Sequence, residues 1–303
     1  GLLEQDGARW DAEALAAAGL EERQLFRLVA RNAPRRGRRP PWSGRWPSLR
    51  GVPWFPAVGD GAAGNVGSDC TDPARIALNV GTSAALRVLT DGNPVPPRGL
   101  WRYRLDRRRS LVGGATSEGG NVYRWCREVL RLSADAQLEA ELAALPADGH
   151  GLTVLPFLAG ERSPGWRGTR RAVIAGLSLD TTAPEILRAG LEAVALRLAL
   201  IYRRLAPSAA PDHAVVASGG ALAHSRVWTQ ILADALGRPV AWSAETEATT
   251  RGAALLALEA LGVVRDLGSA RGPLGETVVP DPAGHARYAE ALERQARLDA
   301  ANE

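Results

Sequence analysis

The sequence predicts an α/β domain: a mixed sheet flanked by helices. Two observations carry that expectation. Short apolar runs divided by glycine fill residues 52 to 114, and their close spacing with short turns suits antiparallel neighbours. Beyond them helical patterns dominate and then alternate with strands, the order expected of an α/β layer structure.

The elements follow in chain order. Residues 11 to 29 carry a helical pattern, with Leu15, Leu25 and Leu28 among small and charged residues. A basic, proline-rich connecting segment occupies 31 to 50. Strand runs are expected at 52–58, 75–81, 83–90, 100–105 and 110–114. Helices are expected at 117–131 and 134–144, and 152–158 reads as a buried strand or loop. In the segment 183–205, Leu187, Leu191, Val194, Leu198, Ile201 and Leu205 recur three and four residues apart, on one helical face. Thr182 and Glu185 make a capping box at its start. A strand at 213–220 runs into Gly219 and Gly220. A helix at 225–236 stops at Gly237, and a strand follows at 239–243. A small-residue helix is expected at 247–262 and a last amphipathic helix at 281–299.

Bulk properties narrow the function. A chain of 303 residues can bury a sizeable core, and 46% hydrophobic with 23% charged residues is ordinary for a globular domain. No apolar run reaches the length of a membrane span. Cys70 and Cys126 form no metal spacing, and read as two reduced thiols of a cytoplasmic protein. The net charge is +4. In 31–50 the arginines Arg35, Arg36, Arg38 and Arg39 precede Trp42 and Trp46, a texture found in nucleic-acid binders. So small a net charge over this length favours a solvated connecting segment, and no nucleic-acid or membrane partner is expected. The chain has no methionine and opens on "GLLEQDGARW", which reads as the interior of a longer protein.

Three glycine-bearing turns draw the chemistry together. In "FPAVGDGAAGNVGSDC" a lone carboxylate, Asp60, stands between Gly59 and Gly61 with only small residues beside it. It either caps the next helix or waits for a ligand that approaches closely. Gly81-Thr82-Ser83 lies between two strand runs and offers N–H and hydroxyl donors to phosphate oxygens. Ser218-Gly219-Gly220-Ala221 lies between a strand and a helix, where free N–H groups and a flat surface suit a nucleotide. Singly, glycine turns are far more often just turns. Neither GxxxxGK[ST] nor GxGxxG occurs.

The ordered set "GDGAAGNVGSDC", "LNVGTSAAL", "GGATSEGGNVYRW", "LPFLAGERSPGW", "AVIAGLSLDTTAPEILRAGLEAVALRL", "ASGGALAHSRVWTQILADALGRPV" and "EATTRGAALLALEALG" resembles the C-terminal half of the FGGY family of carbohydrate kinases, gluconokinase- and xylulokinase-like members above all. The resemblance spans essentially the whole chain, more loosely at 31–50 and 263–303. It implies the actin-like, ribonuclease-H-related ATPase fold, with 51–303 as the nucleotide-binding domain and 1–50 as a remnant of the inter-domain region. Asp60 matches the catalytic aspartate, which takes or orients the proton of the attacking sugar hydroxyl, with Gly61 beside the substrate. Gly81, Thr82 and Ser83 match the loop on the β- and γ-phosphates. Gly219, Gly220 and Ala221 match the adenosine loop, with Ser225 and Gln230 on the helix behind it. The "GER" of Gly160, Glu161 and Arg162 reads as structural. "SEGGN", Ser117 to Asn121, reads as structural or as lining the cleft. ATP or ADP, Mg²⁺ and a sugar or sugar acid are the implied ligands, gluconate before xylulose.

The pattern also departs from the family. The D-x-G-T/S phosphate motif of the family's first domain does not occur in this sequence. The resemblance therefore implies a chain without its N-terminal domain and inactive alone, with a missing N-terminal kinase domain or a homo-oligomer as the expected partner. Ala84 stands where glycine is common, and Gly190 where alanine is commoner. A different reading is a non-catalytic module that binds nucleotide or a partner without turnover.

Overall fold

The computed structural model describes residues 2–37, 40–222 and 225–302. Arg38 and Arg39 of the basic segment lie outside the described residues. The strands are β1 (Leu3–Glu4), β2 (Arg9–Trp10), β3 (Arg75–Val80), β4 (Ala84–Asp91), β5 (Trp101–Arg104), β6 (Arg109–Thr116), β7 (Thr153–Leu155), β8 (Val173–Ala175), β9 (Ala214–Ser218), β10 (Val240–Ser243) and β11 (Leu274–Val278). The α-helices are α1 (Ala12–Ala17), α2 (Trp42–Arg45), α3 (Asp60–Gly67), α4 (Gly120–Val129), α5 (Asp135–Ala144), α6 (Ala183–Leu205), α7 (Arg226–Leu236), α8 (Ala248–Ala260) and α9 (Pro282–Ala301).

The main sheet has the order β11-β10-β9-β3-β4-β6-β5. β3, β4, β6 and β5 form the expected antiparallel run, while β9 and β10 join parallel to β3. Three antiparallel strands followed by two parallel ones is the ribonuclease-H-like order, with β5 and β11 added at the edges.

Alternation along β3 and β4 builds two cores. Ile76, Leu78, Val80, Leu86 and Val88 face α6, where Leu187, Leu191, Val194, Leu198, Ile201 and Leu205 meet them. On the opposite face Leu89, Trp101 and Leu111 pack with Val66 of α3 and Leu255 and Leu256 of α8. The α6 helix is buried on more than the one expected face, because α4, α5, α7 and α9 also pack on it. Its capping box is in place, with Glu185 accepting the Thr182 N–H at 2.8 Å. A Cβ on Gly190 would stand 3.0 Å from Val122, so the glycine lets α4 come close.

Several expectations need correction. The helix drawn over 11–29 ends at Ala17, and Gly19 turns the chain with a φ of 66°. The strand drawn at 52–58 has no ladder beyond one bridge between Arg35 and Trp54, since Pro53 and Pro56 lack N–H donors. The helix that Asp60 was expected to cap is short, Asp60–Gly67, and includes Asp60 itself; β8 and β11 were not expected. The N-terminal region is tied to the domain by charge: Arg31 meets Asp106 at 3.2 Å and Glu259 at 2.9 Å, and Arg109 pairs with the same two carboxylates.

Candidate active site

The sheet ends in a tight turn at Gly81-Thr82-Ser83, between β3 and β4. Gly81 N–H donates to Ser83 O at 2.9 Å. The start of α4 then clamps the turn from outside. Gly120 N–H donates to Gly81 O at 2.7 Å and Asn121 N–H to Thr82 O at 3.2 Å. A Cβ on Gly119 would lie 2.7 Å from the Ser83 carbonyl carbon, so only glycine admits this approach. The SEGGN segment is thus both a brace and, through Gly120, a wall of the cavity beyond. The Thr82 and Ser83 side chains are exposed.

That cavity, of about 570 Å³, is bounded by Gly81, Thr82, Gly120, Gly220, Ala221 and Ser225, with Tyr123, Leu138, Leu142, Leu191 and Trp228 supplying apolar walls. Its size and mix of backbone and apolar surface suit a nucleoside. Gly220 carries nothing within 4 Å of where a Cβ would stand, an open flat surface. Gly219 lies behind it with φ 109°, and a Cβ there would meet Val80 O at 2.4 Å. Ser225 lines the cavity, but its hydroxyl is engaged: it accepts the Trp228 N–H and donates to Glu139, both at 3.0 Å. Gln230 is not brought to the cavity. Its amide donates to Asp234 at 2.8 Å and to Val279 O at 2.9 Å, which fastens α7 to the end of β11.

A second cavity, of about 890 Å³, lies on the other side of the turn and has Asp60, Gly61, Ala62, Ser83, Ala85 and Arg87 in its wall. Thr82 therefore faces one cavity and Ser83 the other. Asp60 is the first residue of α3, exposed, with Gly59 in the capping position. Its Oδ1 accepts the Gly61 N–H at 2.7 Å. Asp60 is not the cap, which is Gly59, but the first residue inside the helix, and it borders the cavity.

The family's C-terminal domain profile, "FGGY family of carbohydrate kinases, C-terminal domain", matches residues 76–261. The chain belongs to the FGGY family of carbohydrate kinases. A gluconokinase from Bacillus subtilis (strain 168) is 28% identical over 291 residues, which cover 91% of this chain and 56% of the relative. The crystal structure of a ligand-bound xylulose kinase from Lactobacillus acidophilus superposes with a TM-score of 0.88 at 26% identity, covering 99% of this chain and 62% of that one. The gluconate kinase structure from the same organism gives 0.87 at 26% identity, with the same coverage. The chain thus spans between half and two thirds of the length of these relatives.

On this FGGY domain three charged residues stand out: Arg87, not singled out from the sequence, and Arg162 and Glu118 of the GER and SEGGN segments. Arg87 and Arg162 both line the Asp60 cavity. Arg87 had one signal, a lone cation inside the apolar run of β4. Burial pushes its guanidinium below the ordinary arginine range, and nearby Asp60 acts the other way. The "GER" segment divides its roles. Glu161 is buried and pairs with Arg197 and, at 2.6 Å, with Arg167, while Arg162 reaches the cavity. Glu118 is buried beside the clamp, and its carboxyl accepts the Ala159 N–H at 2.9 Å. Burial pushes its pKa up to about 7, against the pull of that N–H and of Arg197.

Asp148, His150 and Glu192 form a group of three metal-type ligands among the described residues, but line neither cavity. Glu192 already accepts from Arg188 and the Tyr288 hydroxyl, each at 2.8 Å, and meets His150 at 3.0 Å. Arg294 is paired with Asp148. With two guanidinium groups present the cluster is an internal ion-pair network. No helix among the described residues is long and apolar enough to cross a membrane.

Proposed function

We propose that the chain is the nucleotide-binding part of a kinase that moves the γ-phosphate of ATP to a hydroxyl of a sugar or sugar acid, gluconate before xylulose. One observation carries the reading: the Gly81–Ser83 turn is the shared wall of a nucleotide-sized cavity and of the cavity that holds Asp60. A triphosphate whose base occupies the first would end at the turn, with its terminal phosphorus toward Asp60.

Phosphoryl transfer asks a protein for positioning and charge stabilisation. The turn's N–H and hydroxyl groups would hold the β- and γ-phosphates. Asp60 would accept the hydroxyl proton as the acceptor oxygen bonds to the γ-phosphorus and the bridging oxygen leaves with ADP. Gly61 and Ala62 leave room for the sugar. Mg²⁺ would arrive with ATP, and bound there it neutralises phosphate charge. A cavity wall with one carboxylate unpaired among the described residues, Asp60, fits an ion held mainly by the phosphates, not a closed protein cage. The other carboxylate of that cavity, Asp106, is taken up by Arg31 and Arg109.

Asp60 is exposed. A general base needs its reaction shielded from water, so we expect a second lobe to close over it. The 303-residue chain alone should bind nucleotide and not turn over. ATP supply and the free, buried thiols Cys70 and Cys126 support a cytoplasmic setting. The test is calorimetric titration of ADP into the chain. Saturable binding that Gly220→Leu abolishes supports the reading, and no heat at millimolar ADP overturns it.

A further inference from the structure

We propose that Arg87, with Arg162, reads a carboxylate on the acceptor, so that the Asp60 cavity takes a sugar acid in preference to a neutral polyol. The proposal rests on the kinase reading above and narrows its substrate class.

Arg87 points to the cavity face of β4, opposite Leu86 and Val88. Its guanidinium carbon stands 3.3 Å from where a Cβ on Gly61 would be, so the cation lies directly beside the residue that follows Asp60. Its other side lies 6.0 Å from the centre of the Trp101 ring. A Cβ on Gly113, its cross-strand neighbour, would meet Leu86 O at 2.4 Å, Trp101 at 2.9 Å and Arg87 Cγ at 3.1 Å, so a side chain there would crowd both the strand and the cation. No carboxylate among the described residues comes within ion-pair distance of Arg87 or Arg162. Among the groups that act on Arg87 are Asp60 and Tyr103, attractively, and Arg162, repulsively. The cavity is rich in arginine, with Arg31, Arg104, Arg107 and Arg108 also in its wall, and Asp60 is its one acid without an ion pair among the described residues. Arg162 is exposed, whereas Arg87 is half-buried without an ion-pair partner among the described residues; withdrawing such a cation from water is costly, and an anionic ligand removes that cost.

Phosphate and carboxylate are both anions, and position separates them. The γ-phosphate belongs at Ser83. Strand rise of about 3.3 Å per residue puts the Arg87 backbone roughly 13 Å further along β4. The side chain reaches back to Gly61, so the guanidinium stands in the acceptor cavity beside Asp60's neighbour and does not line the nucleotide cavity. A planar guanidinium there grips a carboxylate through two parallel hydrogen bonds. A neutral polyol offers it no charge.

The test is competitive titration of the 303-residue chain, saturated with ADP, with gluconate and with glucitol, which differ only in carboxylate against CH₂OH. Gluconate is expected to bind roughly tenfold tighter or better. Arg87→Gln, and to a lesser extent Arg162→Gln, should reduce that ratio toward one while ADP affinity holds. Equal binding of the two acceptors by the wild type, no saturable gluconate binding, or a ratio untouched by both substitutions would overturn the proposal. So would an Arg87→Gln effect confined to ADP or inorganic phosphate, because the cation would then serve the nucleotide. Failure of ADP to bind at all would count against the kinase reading itself, and is read separately.

Discussion

Gly67 of α3 and Gly252 of α8 face each other so closely that neither tolerates a side chain. A Cβ on Gly67 would stand 1.7 Å from Ala248 O, and one on Gly252 would stand 1.8 Å from Ala63 O. The two backbones touch, and the contact fixes the axis of α3. Asp60 is the first residue of that helix, so the contact far from the cavity aims the acid at its mouth. Arg251 adds to the clasp from α8, donating to Gly67 O and to Asp69, both at 2.6 Å.

Alanine at either glycine should therefore act through the fold. Gly67→Ala and Gly252→Ala each force backbone apart, and a loss of about 2–4 kcal/mol in urea unfolding is expected. Gly64→Ala is the internal contrast. Its Cβ would meet only the Thr249 hydroxyl, at 3.5 Å, and better helix propensity should add up to about 1 kcal/mol. Equal effects at the three positions would show that the helix contact does not hold α3.

The neighbouring glycines Gly219 and Gly220 should separate stability from binding. Gly219→Ala meets Val80 O and an unfavourable φ, so a loss of about 2–3 kcal/mol is expected. Gly220→Leu projects into open cavity and should leave unfolding within about 0.5 kcal/mol of the parent. It should weaken ADP binding tenfold or more by filling the base's space. Chemical denaturation and calorimetry on both variants check the pair, and a stability loss at Gly220 matching that at Gly219 would count against it.

The legible parts of this fold were those whose own pattern decides them. The antiparallel run β3, β4 and β6 and the long α6 follow from alternation and from leucines three and four apart. The bounds of α3 were not legible beyond the suggestion of a helix near Asp60, because "DGAAGNVG" is a poor helix by propensity and α8 packs closely against it. The proline-bearing run at 52–58 imitated a strand in hydrophobicity but had no donors to pair. In the site, Asp60 and the two glycine turns were legible only as an ordered set. Arg87 and Arg162 were not, since only the sheet brings β4 and the GER segment to one cavity. Gln230 looked like a ligand group by position, yet the partner it finds belongs to β11's end.

Glu118 gives stability a pH dependence with a defined sign. Its folded-state pKa is raised to about 7 from an ordinary 4.5, chiefly by burial. A raised value means the protonated form is favoured by folding. The contribution is then fully present below about pH 4.5 and is lost as pH rises through about 7. Glu118→Gln, which keeps an oxygen for the Ala159 N–H, should flatten that window. The variant should be more stable than the parent at pH 8, by an amount of order 2–3 kcal/mol, with little or no advantage at pH 4. Denaturation midpoints across pH 4 to 8 decide it, and parallel curves for the two proteins would place the titrating group elsewhere.

Asp60→Asn tests the chemistry apart from the fold. The amide cannot take the acceptor's proton, yet it keeps the size and the Oδ1 that receives the Gly61 N–H. The rate of sugar phosphorylation should fall by about 10²- to 10⁴-fold in protein that includes a second lobe. ADP affinity and unfolding should hold, because Asp60 is exposed and lines the other cavity. A fall in kcat with unchanged acceptor KM is the signature of a group acting in the transition state. Retained turnover would mean that another residue receives the proton. Measurable phosphorylation by the 303-residue chain alone, lost on Asp60→Asn, would show that the described cavity needs no second wall.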